Sequence, residues 1–267
     1  MAFRAVGVFD SGLGGLSVLR EIAALLPGEA LWYVADSLHA PYGERPVPFV
    51  VERTLTIGDW LVGQGVKALV VACNTATAHA IQPLRARFPA LPVIGVEPGL
   101  KPAGIASRSK VVGVLATQGT LDSERFRRLL ASLGGQCTFV CRAGHGLVAR
   151  VEAGETDSAE VVRILRTCLA PMLDAGADTL VLGCTHYPFL APAIERIARE
   201  AGRPLAIVDT GEAIARQLRH RLGEHALLAG GSPLAHRFCS TSDAAHLEAM
   251  VARLLGIKAT AETLAIA

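Results

Sequence analysis

Short, β-branched apolar runs alternate along the chain with longer amphipathic stretches. Eight runs read as strands: "AVGVF" (5–9), "LWYVA" (31–35), "KALVVAC" (67–73), "LPVIGV" (91–96), "KVVGVLA" (110–116), "QCTFVC" (136–141), "DTLVLGC" (178–184) and "PLAIVD" (204–209). Between them, segments such as "LSVLREIAALL", "VERTLTIGDWLVGQG", "SERFRRLLASLG" and "EVVRILRTCLAPMLDAG" repeat their apolar residues at helical spacing. Strand and helix in alternation predict an α/β fold of doubly wound parallel sheets, with helices on both faces.

The pattern also repeats. "VGVFDSGLGGL" (6–16) can be laid over "VGVLATQGTL" (112–121) at an offset of 106, and Cys73 over Cys184 at an offset of 111. Two nearly equal offsets predict two similar α/β domains. The seam falls near "EPGLKPAG" (97–104), where Pro and Gly interrupt the pattern. After "VDTGEAIA" (208–215) the chain, with its helix-like "DAAHLEAMVARLLG" (243–256), is expected to rejoin the first half. The first domain is thus expected over residues 1–97 and 208–267 with Cys73, and the second over 98–207 with Cys184.

At 267 residues and 51% hydrophobic, the chain can bury the cores of two domains. Its 26 Lys and Arg against 24 Asp and Glu make no electrostatic case for nucleic acid or an anionic membrane. The N-terminal stretch lacks the features of a signal peptide, and no apolar window approaches ~18 residues, so a cytoplasmic protein is expected. In a reducing compartment the six cysteines (73, 137, 141, 168, 184 and 239) are expected to be free thiols. Only Cys137 and Cys141 lie close in sequence, without a partner pair at zinc-site spacing, so no metal is expected. Cys168 occupies an apolar position of a helix and reads as a small buried hydrophobe.

In open α/β sheets, ligands bind beyond the carboxyl ends of the strands. Those ends are polar here: Asp10 and Ser11; Asp36 and Ser37; Cys73, Asn74 and Thr75; Glu97; Thr117; Cys184, Thr185 and His186; Asp209 and Thr210. Hydroxyls and backbone N–H groups at helix N-termini suit an acidic small molecule. Both thiols are expected to face such helix ends, which lower a cysteine pKa from ~8.5 toward ~3.5–7.5 in documented cases. His186, two residues after Cys184, and Asp10, near Cys73, are candidate partners in proton transfer. The "GLGG" at 12–15 fits no GxGxxG, and neither GxxxxGK[ST], GxSxG nor HExxH occurs. "PYGER" (41–45) reads by itself as an ordinary turn with an exposed Tyr42, and Glu152 in "GLVARVEAGE" as a solvated charge. Two thiols delivered by two similar domains suit the inversion of a carbon stereocentre, which needs a base on one face and an acid on the other.

"GVFDSGLGGLSVL", "ADSLHAPYG", "ACNTATA", "GVEPG", "VLATQGT", "LVLGCTHYPFL" and "VDTGEAIA", in this order, closely resemble the cofactor-independent glutamate racemases of bacteria. The resemblance implies an active site between two α/β domains, a glutamate substrate, no cofactor, and D-glutamate made for peptidoglycan. It implies that Cys73 takes the α-proton from D-glutamate and Cys184 from L-glutamate, assisted by Asp10, Glu152 and His186. It implies substrate contacts at Asp10, Ser11, Pro41, Tyr42, Gly43, Asn74, Thr75, Thr117, Thr185 and His186. Enzymes of this kind are often homodimers. Two other readings stay open on the residues alone, a sister aspartate racemase and a non-catalytic protein that binds an acidic metabolite. The last fifty residues carry no motif.

Overall fold

The computed structural model describes residues 5–231 and 235–266, so residues 1–4, 232–234 and 267 of the expected first domain lie outside it. In chain order the elements are β1 (Val6–Asp10), α1 (Leu16–Leu25), β2 (Leu31–Ala35), α2 (Val47–Gly63), β3 (Ala68–Val71), α3 (Asn74–Arg87) and β4 (Val93–Gly95). Next come α4 (Leu100–Ala106), β5 (Val111–Ala116), α5 (Gln118–Leu121), α6 (Glu124–Ala131), β6 (Thr138–Ala143), α7 (Leu147–Glu152) and α8 (Ala159–Asp174). The chain ends with β7 (Thr179–Gly183), α9 (Ala191–Glu200), β8 (Ala206–Val208), α10 (Gly211–Glu224), β9 (Arg237–Ser240), α11 (Ala244–Leu255) and β10 (Ala261–Thr263). All eight expected strands form.

They make two sheets, six-stranded in the order β10-β9-β2-β1-β3-β4 and four-stranded in the order β6-β5-β7-β8. Every pairing is parallel. Counted from its own first strand, each sheet contains the sequence second, first, third, fourth, so β1 and β5, and β3 and β7, hold equivalent places. Alternate side chains of each buried strand serve opposite layers, because successive residues point to opposite faces. Val6 and Val8 pack with Leu31, Tyr33 and helices α1, α10 and α11, whereas Phe9, Val34 and Leu69 pack with α2 and α3. In the second sheet Leu115, Leu180 and Leu182 meet α7, α8 and α9, and Val112, Val114 and Val181 meet α4 and α6. Two doubly wound layers result, as the pattern predicts.

The last part of the chain returns to the first sheet through β9 and the edge strand β10, two short strands that the sequence pattern does not announce. Val208 still pairs with Val181 of the second sheet, so the crossing back comes after Val208 and a seam at 207/208 cuts into β8. Among the described residues no helix is long and apolar enough to cross a membrane.

Candidate active site

In each sheet the strand order reverses around the first strand, which opens a crevice at the carboxyl ends of the strands. Asp10 closes β1, and Cys73 lies two residues beyond the end of β3. Thr117 directly follows β5, and Cys184 directly follows β7. Both thiols therefore leave equivalent strands of the two sheets, and they line one cavity. Ser11, Pro41, Tyr42, Gly43, Asn74, Thr75, Thr117, Thr185 and His186 line it with them. Val148 of α7 completes the wall, a contribution no motif points to. The space between these walls is narrow, about 10 Å³, room for about one water molecule.

The two thiols have different surroundings. Cys73 caps α3, its Sγ accepting from the Ala76 N–H at 3.4 Å and lying 3.7 Å from the Ser11 hydroxyl. Burial, and after it the Asp10 charge, nevertheless push the Cys73 thiol well above its ordinary value. The expected lowering by the helix end is thus overturned for Cys73, because two local hydrogen bonds do not offset the loss of solvation. No α-helix starts directly after Cys184: a 3₁₀ turn, Tyr187–Leu190, follows it, and α9 begins only at Ala191. Its partner is His186, whose Nδ1 lies 3.7 Å from Sγ.

The same imidazole places Nε2 2.5 Å from Oε1 of Glu152. Burial pulls the His186 pKa down, but the contacts with Cys184 and Glu152 outweigh it and hold the imidazole well above its ordinary value. This direction favours the imidazolium, in which Nε2–H donates to Glu152. The Gly14 N–H, 3.2 Å from Nε2, can bond to that nitrogen only in a neutral tautomer, so the shorter contact governs. Glu152 is no solvated charge: its side chain is 17% exposed, and Oε1 also accepts from the Leu13 N–H at 2.7 Å.

Asp10 is fully buried, with Oδ2 accepting from the Gly15 N–H at 2.7 Å and from the Thr185 hydroxyl at 3.4 Å. Burial raises its carboxyl pKa, against the attraction of His186. Asp10 and Glu152 stand behind the cavity wall rather than in it. The expected exposure of Tyr42 is also overturned, since it is 1% exposed and donates to Oδ2 of Asp36 at 2.5 Å. Arg53 of α2 grips the same carboxylate with Nε at 3.1 Å and Nη2 at 3.0 Å, a buried pair that holds the loop carrying Pro41, Tyr42 and Gly43. Thr75 and Thr117 meet hydroxyl to hydroxyl at 3.0 Å, tying α3 to the start of α5. Asn74 offers a buried Nδ2 with no partner among the described residues, a donor at the cavity. Glu97 and Asp209, the other polar strand ends, pair with Arg125 and cap α10, away from this cavity.

The "GLGG" turn now has a physical reason. A Cβ at Gly12 would lie 2.1 Å from Oε1 of Glu152, and one at Gly14 would lie 2.3 Å from Nδ1 of His186 and 2.7 Å from Oγ1 of Thr185. Glycine lets the first domain approach the second closely. Ser17 reinforces that contact, its hydroxyl lying 2.9 Å from the Thr185 carbonyl.

Residues 6–218 match the model of a family described as Asp/Glu/Hydantoin racemase. The chain belongs to the Asp/Glu/hydantoin racemase family. Within this racemase family, the glutamate racemase of Cupriavidus pinatubonensis is 60% identical over 262 residues, 98% of this chain and 95% of that protein. The crystal structure of Escherichia coli glutamate racemase, in complex with L-glutamate and the activator UDP-MurNAc-ala, superposes with a TM-score of 0.85 at 34% identity and covers 99% of both chains. That of Francisella tularensis glutamate racemase in complex with D-glutamate gives 0.85 at 26% identity, over 99% of this chain and 98% of the other. No group of three or more His, Cys, Asp or Glu residues able to hold a metal occurs among the described residues.

Proposed function

We propose that this racemase interconverts L- and D-glutamate with Cys73 and Cys184 as its two bases and without a cofactor. The observation that carries the reading is that equivalent strands of two sheets deliver Cys73 and Cys184 to the walls of one cavity. With L-glutamate bound, the Cys184 thiolate takes the α-proton, the electron pair left on Cα delocalises into the carboxylate, and the Cys73 thiol returns a proton to the opposite face. Cys184 ends as a thiol and Cys73 as a thiolate, which is the arrangement the D-isomer requires for the reverse reaction. The His186 imidazolium, held by Glu152, sets a positive charge beside Cys184 where the thiolate's charge resides. Burial and Asp10 keep Cys73 protonated until it delivers its proton. Asn74, Thr75, Thr117 and Thr185 supply donors for the substrate's carboxylates. The relatives solved with L-glutamate and with D-glutamate support this substrate.

The two working units in this reading are residues 1–97 with the return after Val208, and the segment between. Sheet membership supports that division. Compartment and assembly follow the family resemblance: a cytoplasmic homodimer supplying D-glutamate for peptidoglycan, its assembly state measurable by light scattering. The deciding assay follows circular dichroism of L-glutamate with purified protein and no added cofactor, where decay to zero ellipticity is the expected result. A pocket built for the γ-carboxylate leaves donors unpaired around aspartate, at about 1–3 kcal/mol for each buried group. We therefore expect kcat/KM for glutamate to exceed that for aspartate by at least about tenfold. Equal rates on the two would move the enzyme to the aspartate branch.

A pH experiment separates the two sides. The Asp10 carboxylate disfavours a neighbouring Cys73 thiolate and so raises its pKa. Asp10→Asn keeps an oxygen for the Gly15 N–H but removes the charge, so the Cys73 pKa should fall. Exchange of the D-glutamate α-proton with solvent deuterium, which needs Cys73 as base, should then reach its alkaline rise at lower pH than in the parent enzyme. A rise displaced to higher pH would refute the assigned influence of Asp10.

A further inference from the structure

Glu152 is held at both ends by the other domain. Its carboxylate accepts from the Leu13 N–H, and its backbone carbonyl lies 2.7 Å from Nε2 of His246 on α11. α7 has only six residues, too few to be stable without tertiary anchors, and its last carbonyls need partners from outside the helix. Following residues take three of them: Ala153 N–H bonds to Ala149, Glu155 N–H to Arg150 and Gly154 N–H to Val151. The Glu152 carbonyl receives its hydrogen bond from His246. α11 itself is fixed in the first domain, where Leu247, Met250 and Val251 belong to the core around β1 and β2. Its face continues onto the next turn, where a Cβ at Gly154 would lie 2.8 Å from Nη1 of Arg253 and 3.4 Å from the Met250 sulfur.

We propose that His246 is a positioning residue that caps the end of α7 from the opposite domain and thereby sets Glu152 against His186 on the Cys184 side of the site. The inference rests on the two-thiol reading above. His246 itself is exposed and is not part of the cavity lining, and its hydrogen bond goes to Glu152. Donation from Nε2 makes Gln the conservative replacement, since its amide N–H reaches as far. Ala removes the donor and leaves an exposed helix surface that folds as before.

Racemisation cannot distinguish the two sides, because every turnover uses both thiols. Glutamate carrying chloride on the β-carbon can distinguish them. After one α-proton passes to a thiolate, chloride leaves, a C=C bond forms, and the enamine tautomerises and hydrolyses to 2-oxoglutarate and ammonium. The parent enzyme must first racemise glutamate and eliminate from both isomers; failure there refutes the two-thiol reading and not the role of His246. Given that activity, His246→Ala should slow elimination from the L-isomer by roughly five- to tenfold, the scale of one lost hydrogen bond, and leave the D-isomer within about twofold. His246→Gln should restore the L-isomer rate. Equal slowing of both isomers, no slowing of either, or an L-isomer rate that Gln fails to restore would each overturn the assignment.

Discussion

Replacing Cys73 or Cys184 by Ala should abolish glutamate racemisation, with a loss of at least ~10²–10⁴-fold, the usual contribution of a positioned proton-transfer group. Each turnover needs a base on one face and an acid on the other, so neither thiol can substitute for its counterpart. The elimination reaction divides the loss. Cys73→Ala should still eliminate from the L-isomer, where Cys184 acts, and fail on the D-isomer; Cys184→Ala should show the reverse. Both thiols are small, buried members of their own domains' cores, and Ala takes away only the sulfur from each. If both variants stay folded yet lose both isomers alike, one thiol per face is wrong.

Gly14→Ala should have the next largest effect, although no atom of Gly14 takes part in the chemistry. The added Cβ would lie 2.3 Å from the His186 ring and 2.7 Å from the Thr185 hydroxyl. These belong to the turn after β7 and not to flexible chain ends, so the two domains must sit further apart. Displacement of catalytic groups by about 1 Å costs ~10²-fold, and we expect a fall in kcat of that order with little change in thermal stability. The contact lies between domains, so each core keeps its packing. A variant with near-parental kcat would show that close approach at the "GLGG" turn is dispensable.

The eight strands were legible because each is a compact apolar run flanked by amphipathic helix, and tertiary context only reinforces that period. β9 and β10 were not, since "RFCS" and "AET" are short and polar-edged and owe their extended form to pairing with β2 and with each other. The thiols were legible for a related reason: a cysteine that ends an apolar strand is aimed at the crevice by topology. Electrostatic detail was not. Whether a helix end or burial governs Cys73 depends on how completely the other domain covers it, and Glu152 reads as a surface charge until Leu13 and His186 are brought from 139 and 34 residues away. Tyr42 likewise reads as a turn residue until Asp36 and Arg53 enclose its hydroxyl.

The unlike surroundings of the two thiols meet a thermodynamic limit. L- and D-glutamate are enantiomers of equal free energy in water, so their equilibrium constant is one whatever the enzyme does. The Haldane relation then requires equal kcat/KM in the two directions. His186 beside Cys184 and Asp10 beside Cys73 cannot bias the direction of net flux. They can only divide the same catalytic efficiency differently between affinity and turnover for each enantiomer. A two-domain enzyme with nearly matching sheets can thus carry asymmetric proton chemistry while serving mirror-image substrates with identical efficiency.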